Sequence, residues 1–494
     1  MNPLDQFIAS LSPQAAVRRQ RARIQLDALR KYDGASRGRR TEGWLTQGTS
    51  ADAAAAPALP VLRDRSRDLV RNNPYAAKAV GVIVSNVVGT GIIAQAKARR
   101  SRRRSQQSTD LWHDWATDPR QCDWNGRLDF YGLQALSFRT VVESGEVLIR
   151  RRTPTGSQRV PLHLQVMEPD MLDTTRDVAL DNGGLIKEGI QYDRNGRREG
   201  YWLYEEHPGE RHLRVTNIRS SFVPAQEIIH VFRQDRPGQT RGVPWASPVI
   251  IRLRDFDDYS DAQLLKQKIS ACFTAFAVDT EAPDSGPSEL IEKLEPGAIE
   301  ILPPGKDIRF ANPPTVGDFD KITREYLLQI AAGFGVTYEA LTGDLSNTNF
   351  SSARLGWLEF QRNIESWRWH MLVPQMLNPI WDWFVAAGSI NGIRLEGIVA
   401  QWTPPRRELI DPSKEIDATR KAVRSGFMSL SEAIREFGYE PEEVMAEMQA
   451  DNEQLDAKGL ILDSDPRKVT GSGQLATPPS DGAEPNPPDE GAQD

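Results

Sequence analysis

Hydrophobic positions recur at threes and fours over several long stretches of this chain, and at twos over a shorter region between them. The first sharp helical signal is Asn73-Pro74. Asn73 suits an N-cap and Pro74 a first helical position, where a missing N–H costs nothing. That helix is predicted to run to about Val88, where Gly89 and Gly91 can end it. From about Phe138 to His230 the pattern shortens to strands: Glu146 to Arg152, His163 to Leu172, Glu188 to Gly209 and Ile228 to Phe232. Asn195-Gly196 predicts a two-residue hairpin turn, because both residue types tolerate positive φ. A long helix follows, with Ser247 as cap and Pro248 as opener. Its apolar line is Val249, Leu253, Phe256, Tyr259, Ala262, Leu265, Ile269 and Cys272. Arg252, Arg254, Asp255, Asp258 and Asp261 fall on its polar face, and its length comes to about 38 Å. A Pro- and Gly-dense insert spans about Ala277 to Gly317. A second helix starts near Asp318 with Phe319, Ile322, Tyr326, Ile330 and Phe334 on one face, closed by Gly333-Phe334-Gly335. A third helical stretch runs from Ser351 to Ala387, with kinks predicted at Pro374 and Pro379. More helix is predicted from Pro412 to about Leu455. No internal repeat is visible.

Charge changes this picture. The formal net charge is −7 over 494 residues. Residues 1–110 hold 20 Lys and Arg against 8 Asp and Glu; residues 111–402 hold 31 against 40; residues 403–494 hold 10 against 20. Residues 1–60 read as a basic flexible arm, with Arg18, Arg19, Arg21 and Arg23 as candidate DNA or partner contacts. The tail, 463–494, is acidic and Pro-rich and predicted to be disordered. A protein that grips DNA through phosphates is usually basic. This one is acidic over most of its length, which suits a surface that DNA slides past. The run Arg99 to Ser105 reads first as a solvated face.

Other features bound the class. The length exceeds one compact core, so two or three lobes are expected. Cys122 and Cys272 are the only cysteines, which points to a reducing compartment. The start lacks a signal peptide's apolar core, and the most apolar window, Ala76 to Ile93, is too interrupted to span a membrane. Of the twelve tryptophans, each is expected to be core packing before it is an interface anchor. The search for catalytic motifs finds no phosphate-binding loop, because Gly305-Lys306 is followed by Asp307 and lacks the upstream glycine. His207 and His212 are the closest histidine pair and lie outside any metal-ligand spacing. No catalytic, cofactor or metal residue is assigned. The carboxylates near Asp255 and Asp258 read as a solvated or channel-facing surface.

Four segments together carry a resemblance. Arg67 to Ile92, Ile228 to Ile250, Ile330 to Phe360 and Asp411 to Val444 are similar, in this order, to the lambda-like family of phage portal proteins. The resemblance covers about residues 60 to 450. It implies an α+β portal fold: a mostly antiparallel β wing, two long stem helices flanking a small α/β clip, a kinked helix and a C-terminal helical crown. The implied map is wing 61–246, stem helix 247–273, clip 274–317, second stem helix 318–335, tunnel-loop region 336–350, kinked helix and wing return 351–400, and crown 401–462. Asn347, Thr348, Asn349, Ser351 and Ser352 become tunnel-loop candidates. The implied function is a homo-oligomeric ring, usually of twelve copies, at one capsid vertex. DNA is packaged and ejected through it, and it forms the head–tail attachment platform. Implied partners are the large terminase subunit, the major capsid and scaffold or protease proteins, head-completion proteins and double-stranded DNA, with no membrane and no cofactor. The implied location is the virion, and the host cytoplasm during assembly. A head–tail adaptor or minor capsid protein is the alternative structural reading; a nuclease or packaging ATPase is the enzymatic one.

Overall fold

The computed structural model describes residues 48–98, 101–154, 158–211, 219–272, 276–279, 306–309, 319–346, 349–405 and 411–462, with a few isolated positions outside these ranges. The chain divides into two units, Met1–Ala54 and Ala55–Asp494. In the first, Arg18, Arg19 and Arg21 are helical and exposed, whereas Arg23 lies outside the described residues. The tail expected over 463–494 lies almost wholly outside them too.

The larger unit opens with helices α1, Leu59–Asn72, and α2, Pro74–Val87. Helical structure thus begins inside the stretch read as an arm. Asn73 caps α2 as predicted: its Oδ1 accepts from the Ala76 N–H at 2.9 Å. Strand β1, Ile93–Ala98, follows, then two helices that periodicity did not reveal: α3, Arg102–Thr117, and α4, Phe130–Ser144. Helix α3 begins in the basic run and gathers its buried Leu111, Trp112, Trp115 and Ala116 at one end, so no apolar stripe runs its length. Its cap is Ser101, which accepts from the Arg104 N–H. Phe138, taken as the start of the strands, is instead buried inside α4. The strands start at Glu146.

Strands β2, Glu146–Arg152, β3, His163–Met167, and β9, Ile228–Phe232, form an antiparallel sheet of order β3-β2-β9. Between β3 and β9 lies a second antiparallel sheet of five short strands in chain order. These are β4, Val178–Ala179, β5, Leu185–Lys187, β6, Ile190–Tyr192, β7, Arg198–Tyr204, and β8, Ser220–Pro224. The β6–β7 hairpin is longer than the two residues predicted. The Gly196 N–H bonds to the Asp193 carbonyl and the Asp193 N–H to the Arg197 carbonyl. Only Gly196, at φ 76°, takes positive φ. Asp193 explains the difference, since its Oδ1 accepts from the Asn195 and Arg197 N–H groups, both at 2.8 Å. That carboxylate favours an ordinary turn closed by a glycine bulge.

Strand β2 divides two cores, because its side chains alternate. Val147 and Ile149 face the main core, while Leu148 faces a smaller one with Met167, Ile190, Tyr201, Leu203 and Val223. The main core has an aromatic centre at Trp112. The rings of Trp115, Phe130, Trp381 and Phe384 all lie between 4.9 and 5.1 Å from it. Most of the tryptophan content is therefore packing, as expected.

At the mouth of β2, between these cores, sits the fully buried carboxylate of Glu146. Its Oε1 accepts from Arg63 at 3.1 Å and from Arg241 at 2.6 Å. Its Oε2 meets His230 Nε2 and the Gly242 N–H, at 2.9 and 2.8 Å. Burial alone would raise this carboxyl's pKa; the Arg241 guanidinium and His230 outweigh that and hold it well below the usual range. Burial pushes the His230 imidazole down despite its carboxylate partner, so the neutral ring donates Nε2–H. The chain can crowd here only because two glycines cross. A Cβ on Gly242 would lie 2.1 Å from the Gly145 carbonyl oxygen, and Gly145 itself has φ 94°.

Two outcomes follow for stability. Glu146→Gln takes from the buried Arg241 guanidinium its nearest counter-charge and leaves it only Glu188, at 3.3 Å, and urea unfolding should show a loss of about 3–5 kcal/mol. The native His230 pKa lies below 6.5 and that of Glu146 below 4.5, so the unfolded chain binds protons first at both sites. The urea midpoint should therefore fall as pH drops below 6.5 and fall further through the carboxylate range. In His230→Gln the drop between pH 7 and 5.5 should shrink; an unchanged drop would remove His230 from the cause.

Candidate channel and ring-interface surfaces

The chain leaves the Gly242 crossing through Trp245, which is buried, and enters helix α5, Ile250–Cys272. Ser247 does not cap it: its hydroxyl donates to the Pro244 carbonyl at 2.6 Å, and the helix starts three residues later. Helix α6, Phe319–Phe334, packs beside it. Tyr259 stacks on Phe319 and Tyr326, at 5.9 and 6.4 Å between ring centres, and Phe256 meets Tyr326 at 5.8 Å. At the other end Gly333 lets the helices close up, since a Cβ there would lie 2.2 Å from Val249 Cγ1. The Gly333-Phe334-Gly335 stop is where it was predicted, with Gly335 at φ 74°.

The predicted apolar line of α5 is only half used. Val249, Leu253 and Phe256 are buried and Tyr259 is half-buried, but Ala262 and Leu265 are exposed. Leu264, which the line had not included, is exposed as well. Of the line's last two members, Ile269 and Cys272, the side chains lie outside the described residues. The polar-face residues Arg252, Arg254, Asp255, Asp258 and Asp261 are all exposed. Three of them have partners: Arg252 bonds Gln329 on α6, and Arg254 lies 3.4 Å from Asp258. Arg252 thus bridges the two helices and does not stand free on the polar face. Asp257 accepts from Asn73 Nδ2 at 2.7 Å, tying α5 to the cap of α2.

Between α5 and α6, strands β10, Phe276–Asp279, and β11, Lys306–Arg309, pair antiparallel. The rest of the insert called clip, and the Gly- and Pro-rich residues within it, lie outside the described residues. After α6, a one-turn helix Tyr338–Thr342 leads to Gly343 in the left-handed conformation. Asp344 then folds the chain back, accepting from the Ser346 N–H and hydroxyl at 3.0 and 2.6 Å. The Ser346 hydroxyl is the main reason its pKa is lowered. Asn347 and Thr348 lie outside the described residues. Asn349 is exposed, and its carbonyl accepts the Ala353 N–H at the start of α7, Phe350–Trp367. Ser351 and Ser352 belong to the first turn of α7, so the loop proper ends at Asn349. Asn363 on α7 donates to the Gly335 carbonyl at 3.2 Å, which roots this loop at the end of α6.

Helix α7 continues as π-helix over Arg368–Leu377 and then as α8, Asn378–Ile390. Kinks were expected at Pro374 and Pro379. The helix widens at the first, where the Asn378 N–H reaches back five residues to Val373, and takes the second into the opening turn of α8. Strand β12, Ile398–Thr403, returns to pair with β1. Helices α9, Pro412–Arg424, α10, Leu430–Glu436, and α11, Pro441–Lys458, complete the described chain.

One cluster escaped sequence reasoning. Glu168, Asp170 and His207 place ligand-type atoms within 4.8 Å of one another, although no sequence spacing announces it. Arg67 lies 2.5 Å from Asp170 and 3.3 Å from Glu168. A guanidinium therefore already supplies the positive charge a metal ion would bring. Among the described residues, no helix is long and apolar enough to cross a membrane.

The model of the lambda family of phage portal proteins matches residues 37–368. The chain belongs to that family. It is 26% identical to a probable portal protein of Halomonas phage phiHAP-1, over 89% of this chain and 90% of that one. It is 22% identical to the portal protein of Escherichia phage N15, over 88% and 92%. Among solved structures, a chain in the neck of an empty gene transfer agent particle superposes with a TM-score of 0.48 at 15% identity, covering 76% of this chain and 94% of that one.

The aromatic stack makes a prediction for this family member. Tyr259→Ala removes the ring between Phe319 and Tyr326, and thermal unfolding should show a loss of about 3 kcal/mol. Tyr259→Phe should keep nearly all of it, because the stack uses the ring and not the hydroxyl.

Proposed function

We propose that this chain forms a closed ring of identical copies at one capsid vertex, with α5 and α6 of each copy standing side by side around a bore for duplex DNA. The observation that carries this reading is the half-used apolar line of α5. Leu264 and Leu265, 50% and 58% exposed, continue the helix beyond the point where α6 covers it. Exposed leucines on one helix suit a neighbouring copy, and a ring needs an interface that repeats head to tail.

In this ring the aspartates of the α5 polar face, Asp255, Asp258 and Asp261, set the sign of the bore. A surface with few cations gains little from counterion release, so DNA slides through it without being held. The loop from Gly343 to Asn349, rooted on α6 and tightened by Asp344, lies nearest the strand as a tunnel loop. The insert 274–317 is the clip that meets the large terminase subunit during packaging and head-completion proteins afterwards. The region 61–246 is the wing that faces the major capsid and scaffold or protease proteins, and 401–462 is the crown. Copy number twelve is the usual value for this family. The basic residues Arg18, Arg19, Arg21 and Arg23 stand as candidate DNA or partner contacts, and the chain acts as a conduit with no catalytic step, in the virion and, during assembly, in the host cytoplasm.

The test is assembly. Leu264→Glu with Leu265→Glu should abolish rings in negative-stain images and shift the purified protein to monomer on size exclusion. Its circular dichroism and melting point should stay close to those of the parent, since both side chains are already exposed. Intact rings in the double variant would overturn the reading.

A further inference from the structure

One part of this acidic chain's surface is built of arginine around an outward-facing tryptophan. The loop from Cys122 to Leu128 is fixed by Asp123. Its buried carboxylate accepts from the backbone N–H groups of Asn125, Arg127 and Leu128, at 3.1, 2.8 and 3.1 Å. So held, the loop keeps Trp124 45% exposed. The Arg152 guanidinium lies 5.2 Å over its ring, and His163, the cross-strand partner of Arg152, stands edge-on to it at 6.2 Å. Arg120 and Arg127 flank the indole in sequence and are exposed. Gln158 closes the patch, donating to the Arg120 carbonyl at 3.4 Å and meeting His163 Nε2 at 3.1 Å. Arg159 beside it is exposed too.

Positive charge here is only partly cancelled. Arg120 pairs with Asp118, and Arg159 lies 3.7 Å from Asp114. Arg127 and Arg152 have no carboxylate within 4 Å among the described residues; Arg152 bonds only the neutral Gln165, at 2.8 Å. Burial first, and Arg150 second, push the Arg152 guanidinium's pKa down, against a smaller opposing pull from Glu227.

We propose that this patch binds the phosphodiester backbone of duplex DNA, as a contact separate from the bore. Arginine forks match phosphate oxygens two at a time, and lysine does not. An exposed indole beside them can pack on a sugar face. An acidic protein partner would call for a broader apolar centre, and on this loop only Trp124 and Leu128 offer exposed apolar area. The proposal rests on the reading above only in taking DNA as the polymer within reach.

The experiment measures binding of a short fluorescein-labelled duplex to the full chain by anisotropy across a salt series. Arg127→Gln with Arg152→Gln should weaken binding at low salt by tenfold or more. It should also lower the slope of log K against log salt by about 1.8, two phosphate contacts at about 0.9 each. Arg127→Gln alone, on an exposed loop, should lower the slope by about 0.9, which keeps the test open if the double variant folds poorly. Arg152→Lys should keep the slope and lose affinity. Unchanged binding in these variants overturns the proposal. So does polyglutamate that binds as tightly as DNA and is lost in the same variants, which would assign the patch to an acidic protein. Rings in negative stain should persist in every variant, so failure here is distinguishable from failure of the ring reading.

Discussion

The arrangement of this chain depends on one buried carboxylate. Glu146 stands where β2 leaves α4, and its four partners come from three places: Arg63 on α1, His230 on β9, and Arg241 with the Gly242 N–H on the connection to α5. A charge removed from water is costly unless it is paired and fully hydrogen-bonded. Here both oxygens are used. Arg241 extends the network to Glu188 at 3.3 Å, and Arg63 to Asp170 at 3.4 Å. Each cation thus ties the carboxylate to a further acidic group, and the segments carrying them have little freedom to shift separately.

That constraint reaches α5. The Gly145–Gly242 crossing fixes where the connection passes α4, and three residues beyond it Trp245 is packed against Phe138 and Trp367, at 5.9 and 4.7 Å. The next turn starts α5. The root of the long helix is therefore set by the charged junction on one side and by Gly333 pressed on Val249 on the other. Beyond Tyr259, Ala262, Leu264 and Leu265 on α5 are exposed. Rigid at the base and open at the far end is the arrangement a subunit needs if its helix is to be completed by another copy.

Much of this was legible in the sequence, and the failures have physical causes. The caps and stops that rest on local chemistry, Asn73 and Gly335, stand where local rules put them. The long helices were found because α5 and α6 each present one apolar line. Helix α3 was missed because its burial comes from distant partners: Trp112 meets Trp381 and Phe384 across more than 250 residues of chain, so no stripe marks its first half. Helix α4 does carry a regular line, Phe130, Leu133, Phe138, Val141 and Val142, and was missed because its last turns were assigned to the strands from Phe138. The hairpin at Asn195 was misjudged because Asp193, two residues upstream, competes for the turn's N–H groups. Glu146 gave no signal at all. A single acidic residue opening a β-branched strand looks like a solvated strand end, and only the fold brings two arginines and a histidine onto it. The same holds for Glu168, Asp170 and His207, and for Trp124, whose exposure depends on the buried Asp123.

The α5 face and the Trp124 patch obey one electrostatic rule with opposite signs. On α5, Asp255, Asp258 and Asp261 are exposed, and Arg254 is paired with Asp258, whereas Arg252 bonds the neutral Gln329. A polyanion passing this face meets few partners that could release its counterions, so it has little reason to stop. Around Trp124 the opposite holds. The one carboxylate on the loop, Asp123, is turned inward and spent on three backbone N–H groups, which removes it as a partner for Arg127 and Arg152. Net charge alone would not separate these faces, since a chain at −7 predicts repulsion everywhere. What separates them is which charges the fold has already neutralised internally, and that is decided residue by residue by hydrogen bonds such as those of Asp123.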